Sequence, residues 1–213
     1  MASEPIRDPI KDRLLTPKNA AFVIIDYQPV QVNSIASMDR QLLLNNIVGC
    51  SRAAVAYGLP IVHSTVNVKT GLNKPPVPHV QKALAEYPTY DRTSINSWED
   101  VEFRKAVEET GRKKLVMTAL WTEACLTFPA IDALAEGYEV YVPVDAVGGT
   151  SVAAHEAALR RIEQAGGKLI STVQLFCELQ RDWKRSETVP AFIDLFIQTG
   201  GTAGIQFSYD RAE

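Results

Sequence analysis

The sequence predicts a three-layer α/β/α sandwich around a mainly parallel sheet. Two observations carry this. Short, nearly all-apolar runs of about six residues recur along the 213-residue chain, the mark of strands buried on both faces. Each is followed by a stretch with helical spacing, and glycines close several of these. Strand-then-helix order with right-handed crossovers yields a Rossmann-like sheet with helices on both faces.

The elements follow in order. A-A-F-V-I-I-D-Y-Q, from Ala20, reads as the first strand, and Asp26 ends it. Apolar residues from Asp39 to Tyr57 recur at helical spacing, and Gly58 is the stop. L-P-I-V-H-S-T-V is the second strand. Positions 67–78 hold three prolines and Gly71, a long stiffened loop of the kind that often lines a binding surface. A short helix is expected over Val80 to Tyr87. Y-P-T-Y-D-R-T-S gives only weak extended signals, and a helix runs from Trp98 to Thr110. K-K-L-V-M-T-A-L is the third clear strand, followed by a helix from Thr122 to about Glu136. E-V-Y-V-P-V-D, a helix from Val152 to Ala165, K-L-I-S-T-V, and helices over 174–185 and 189–198 complete the pattern.

One domain is expected over residues 19–199. An irregular, proline-bearing arm (1–18) precedes it, and a loose glycine-bearing tail (200–213) follows. Apolar residues make up 46% and charged residues 22%, with a formal net charge of -3 and no basic run. Nucleic acid and membrane are therefore not expected partners. Cys50, Cys125 and Cys177 are too few for a disulfide framework, and the first residues lack an apolar signal core. A cytoplasmic location is expected.

In a parallel α/β sheet the ligand lies beyond the carboxyl ends of the strands. Asp26, the stretch Trp121–Cys125 and Asp145 should share that edge. Cys125 would lie in a first helical turn capped by Thr122, where free amides and the dipole stabilise a thiolate. The backbone amides of Ala124 and Cys125 could receive an oxyanion. The competing reading is a small buried residue at a strand-to-helix corner. Asp26 is either a base toward Cys125 or a turn carboxylate. A thiolate beside a carboxylate needs a cation, and Arg92, His63, Lys74, Lys113 and Lys114 are candidates. Lys113 and Lys114 precede their strand and should sit at the opposite edge. His63 reads as structural, and Cys177 as a buried helix residue. No HExxH, CxxC, P-loop or dinucleotide glycine pattern occurs, so no metal or cofactor is expected.

Four segments then bring a resemblance: V-I-I-D-Y-Q, R-T-S-I-N-S-W-E-D-V-E-F, L-V-M-T-A-L-W-T-E-A-C-L-T-F-P-A and C-E-L-Q-R-D-W. Over about Asn19 to Trp183 the chain resembles the isochorismatase-like cysteine hydrolases, and among them the YcaC-type bacterial branch. The resemblance implies a nucleophile at Cys125, a base at Asp26 and a cation at Arg92, where most of the family has lysine. It implies a non-proline cis peptide, placed at Trp121–Thr122. It also implies covalent acyl transfer on a small-molecule substrate without a cofactor, and homo-oligomers such as octamers. A same-fold hydrolase of a non-amide substrate and a catalytically silent scaffold remain the alternatives.

Overall fold

The computed structural model describes residues 7–199 and 201–210. The expectations for 1–6, 200 and 211–213 lie outside the described residues. Six strands form one sheet in the order β3-β2-β1-β4-β5-β6, with every pairing parallel. They are β1 (Ala20–Ile25), β2 (Ile61–Val66), β3 (Thr89–Arg92), β4 (Lys114–Ala119), β5 (Glu139–Pro143) and β6 (Lys168–Ile170). The central pair is buried throughout, as the continuous apolar runs require.

The period of two divides the strands between two cores. Phe22 and Ile24 face one, together with Leu43 and Ile47 of α2 (Arg40–Ala56) and Leu175 and Phe176 of α7 (Thr172–Gln180). Ala21, Val23 and Ile25 face the other. There they meet Phe103 of α4 (Val101–Glu109), Ala130 of α5 (Thr127–Ala135) and Ile162 of α6 (Val152–Gln164). Helices therefore cover both faces. Short helices α1 (Pro29–Asn33) and α3 (Pro78–Ala83) flank the first two crossovers, and α8 (Val189–Thr199) packs on α2. From β1 the chain steps outward to β2 and β3, then crosses back to β4 on the other side of β1 and continues to β5 and β6. The strand order thus reverses between β1 and β4, and a crevice opens there.

Four expectations need correction. The weak Y-P-T-Y-D-R stretch is a full edge strand, β3; its polar, half-exposed residues lack the apolar pattern that reveals a strand. The long helix from Thr122 divides into a five-residue π turn, Thr122–Leu126, and then α5. Pro129 has no N–H to offer the Cys125 carbonyl four residues back, and the Leu126 amide instead donates five residues back to Trp121 O at 3.2 Å. The supposedly loose tail is helical, α9 (Gly201–Asp210). Phe207 meets Phe196 edge-on at 5.6 Å, and Gly204 lets the helices close, since a Cβ there would lie 2.3 Å from Phe196 O. Cys177 is helical but exposed: Leu175, Phe176 and Leu179 take the inward positions of α7 and turn it outward.

Candidate active site

The end of β1 sets the site. The Asp26 amide completes the ladder to Ser64 O at 3.0 Å, and the backbone then turns with φ +63°, a region that aspartate enters more readily than most residues. The buried Gln28 side chain carries the β1–β2 pairing onward. Its Oε1 accepts from the Val66 amide at 2.9 Å, and its Nε2 donates to Val66 O and Lys74 O at 3.0 and 2.7 Å. Gln28, not Asp26, therefore holds the following loop. The Asp26 side chain is left free to serve the crevice.

The Asp26 carboxylate is fully buried and meets Arg92, from the end of β3, in a two-pronged contact. Arg92 Nη1 donates to Oδ1 and Nη2 to Oδ2, both at 2.7 Å. Nη1 also faces Ser64 Oγ (3.2 Å) and Thr65 O (3.0 Å), and Nη2 faces Ile95 O (3.3 Å). Cys125, 7% exposed, completes the group, close enough to Asp26 for each to act on the ionisation of the other. Residues 66 and 99 positions apart in sequence thus converge on Asp26 across the β1/β4 crevice.

The electrostatics differ from a preformed thiolate. Burial pushes the Cys125 thiol up to about 12; the Asp26 charge adds to this and Arg92 opposes it. Burial also raises the Asp26 carboxyl, against the pull of Arg92 and the thiol. Both Asp26 oxygens accept from the guanidinium, so the carboxylate is the ionised partner and the thiol the donor. The expected helix-dipole thiolate is not what this turn makes, because its five residues precede α5 and no side chain caps it. Thr122 does not cap the turn: its Oγ1 meets His155 Nδ1 at 2.8 Å. The Ala124 amide donates to Trp121 O at 3.2 Å. The cis peptide stands at Leu120–Trp121, one residue before the expected Trp121–Thr122. A chain reversal just before the cysteine turn is present, but the sequence does not show which of two adjacent bonds supplies it.

Other candidates fall elsewhere. Lys114 lies at the opposite edge, and its Nζ donates to the carbonyls of Asp12, Arg13 and Leu14. His63 is buried with Nδ1 3.3 Å from Thr89 Oγ1, and burial pulls its pKa down to about 4. Asp145 caps α7, accepting from the Thr172 amide and hydroxyl at 2.8 Å each. Trp98 packs in the core against Phe103 and Tyr138. Trp121 stays at the site, and its Nε1 donates to Ser34 Oγ at 2.6 Å. Among the described residues no three His, Cys, Asp or Glu side chains gather as a metal ligand set.

The sequence reading missed a clasp behind the cysteine turn. The Thr122 amide donates to Gly148 O at 2.9 Å. Glu123 Oε1 accepts from the amide and hydroxyl of Thr150 at 3.0 and 2.6 Å. Gly149 makes room for this, since a Cβ there would lie 2.6 Å from Glu123 Oε2. With His155 on Thr122, these contacts fix the turn to the loop between β5 and α6. The G-G-T-S run after β5 was the available signal.

Comparison with known proteins decides the lineage. A sequence profile described as "Isochorismatase domain" matches residues 20–174. The chain belongs to the isochorismatase family. The matched span runs from the first residue of β1 into α7, so it contains Asp26, Arg92 and Cys125. A family relative, "Probable hydrolase YcaC" of Escherichia coli, is 33% identical over 171 residues, which is 80% of this chain and 82% of that protein. The E. coli YcaC crystal structure is described as an octameric hydrolase of unknown specificity. It superposes with a TM-score of 0.87 at 29% identity, covering 99% of this chain and 100% of the other. The YcaC of Pseudomonas aeruginosa, solved with hexane-2,5-diol and covalent acrylamide, gives 0.77 at 30% identity over 86% and 95%. Strong homology to this hydrolase family supports enzymatic activity.

Proposed function

We propose that the protein is a cysteine-dependent hydrolase that cleaves a C–N (amide) bond in a small molecule through a thioester. The observation that carries this reading is the linked set of thiol, ionised carboxylate and guanidinium at the β1/β4 crevice. Asp26 accepts the Cys125 proton as sulfur attacks the carbonyl carbon. Charge then develops on the substrate oxygen, which the Cys125 amide receives, with the Ala124 amide joining once its 3.2 Å bond to Trp121 O is released. The carbon–nitrogen bond breaks as Asp26 returns the proton to the departing amine. Water attacks the thioester, Asp26 takes its proton, the carbon–sulfur bond breaks, and the proton returns to sulfur. No cofactor enters.

Arg92 holds charge and orientation throughout. Its guanidinium stays protonated: burial pulls its pKa down, but the Asp26 hydrogen bonds and the negative charges around it together raise it. A thiol that rests protonated suits such a site, because the base is within hydrogen-bonding reach and the anion forms only during attack.

The assembly proposed is a homo-oligomer, octameric as described for E. coli YcaC. The arm's exposed Ile10 and Leu14 and the helices after Gln174 are its interface elements. Light scattering of the purified protein tests this. The chemistry is tested by incubation with acrylamide and a panel of small amides, followed by mass spectrometry of the intact chain and its peptides. A Cys125 adduct that disappears in Cys125→Ser is expected. No adduct and no amide turnover would leave a silent scaffold as the better account.

A further inference from the structure

Arg92 is the cation of the site, and an acidic substrate would need it or a substitute. Its donors are already committed. Nη1 has two hydrogens and faces three acceptors: Asp26 Oδ1, Ser64 Oγ and Thr65 O. Nη2 has two and faces Asp26 Oδ2 and Ile95 O. Nε is buried and without a hydrogen-bond partner, and the whole side chain shows no exposed surface, so no ligand reaches it. The guanidinium neutralises Asp26 and has nothing left for a second anion.

The charges around it point the same way. Asp91 lies close enough to act on Asp26, and Asp100 on Arg92. Asp91 is fixed in place by Thr65 Oγ1 (2.8 Å) and the amides of Val68 (3.0 Å) and Lys69 (2.8 Å). Asp100 is fixed as the cap of α4, accepting from the Phe103 amide at 2.9 Å. Glu123, two residues before the nucleophile, leaves one buried carboxylate oxygen without a partner. Lys69 acts on Asp91, but the cation at the thiol is spoken for, and attack by Cys125 moves the negative charge from Asp26 onto the substrate oxygen without removing any from the site.

We infer that this site takes an uncharged acyl substrate and rejects carboxylates and phosphates at the reacting end. This rests on Cys125 as the nucleophile. It separates the chain's chemistry from acidic substrates, although the fold is shared with the rest of the family.

Two alkylating reagents of nearly equal size test it. Iodoacetamide is neutral and iodoacetate is anionic. Each is reacted with the folded protein near neutral pH, Cys125 labelling is followed by peptide mass spectrometry, and free cysteine is the reference. The expected result is a preference for iodoacetamide at Cys125 that exceeds the free-cysteine preference by on the order of tenfold. Asp100→Asn retains a capping side chain but removes one carboxylate, so it should narrow that excess while Cys125 still labels with iodoacetamide. Equal or faster labelling by iodoacetate would overturn the inference, because it would require an uncommitted positive charge beside the sulfur. An excess that Asp100→Asn leaves unchanged would also count against a field set by these carboxylates. If neither reagent labels Cys125 in the folded protein, the nucleophile reading fails, and this inference goes with it.

Discussion

At the carboxyl ends of the strands, Arg92 spends its donors on the Asp26 carboxylate and on neighbouring oxygens. At the amino ends, Lys114 is just as buried and spends its donors on three backbone carbonyls, at 2.6, 2.7 and 3.2 Å. That edge also holds a groove of about 610 Å³, lined by the arm, Glu139, Tyr141, Lys168 and Glu178. Yet its lysine closes an arm onto the sheet, and among the described residues no thiol or carboxylate is hydrogen-bonded to the ammonium. The buried cation at the carboxyl edge differs in holding a second charge beside a thiol. The difference follows from the topology: at the reversal between β1 and β4 the connections leave for opposite faces of the sheet and open a crevice beyond the carboxyl ends.

The sharpest test of this contrast is Asp26→Asn. It removes the proposed base and leaves the Arg92 charge buried without its partner. Cys125 labelling by acrylamide should fall by about 10²–10⁴-fold, the range for a lost general base. Stability in denaturant should drop by about 3–5 kcal/mol, the cost of breaking a buried pair. Unchanged labelling would show that Asp26 is only structural. The same base predicts an acid limb in the wild-type labelling rate. Asp26 must be ionised to take the proton, and burial raises its pKa, so the rate should fall as pH drops, beginning above the ordinary carboxylate range. The limb should vanish in Asp26→Asn. A rate that instead rises in step with free thiolate would point to unassisted attack.

Lys114→Met probes the other edge. Three carbonyls lose a donor, and destabilisation of about 1–3 kcal/mol is expected. Cys125 labelling should stay within about twofold, because nothing in that edge touches the crevice. A parallel loss of labelling in conditions where the variant is fully folded would show that the two edges are coupled.

The sequence made parts of this legible for a physical reason. Strands buried on both faces leave unmistakable apolar runs, so β1 and β4 could be placed, and with them Asp26 and Cys125 at one edge. Arg92 could not be chosen that way. It ends an edge strand whose residues are polar, and only family resemblance singled it out from four other cations. The π turn needed the Pro129 signal, which spacing counts ignore. His155 was invisible because α6 brings it back to a residue 33 positions earlier, and sequence separation carries no record of that return.

The smallest effect expected is at that return contact. Thr122 is fully buried, and valine would keep its shape while removing the hydroxyl that meets His155 Nδ1. Thr122→Val should cost about 1 kcal/mol, the net worth of one hydrogen bond, with the imidazole left short of a partner. The backbone bond from Thr122 to Gly148 O and the Glu123–Thr150 contacts remain, so the turn should loosen without unfolding. Cys125 labelling should then slow by under about tenfold, since a nucleophile held less firmly visits the attacking geometry less often. The acid limb set by Asp26 should not move. A shifted limb would mean that the clasp tunes the proton transfer itself, and the catalytic edge would then extend from the crevice to α6.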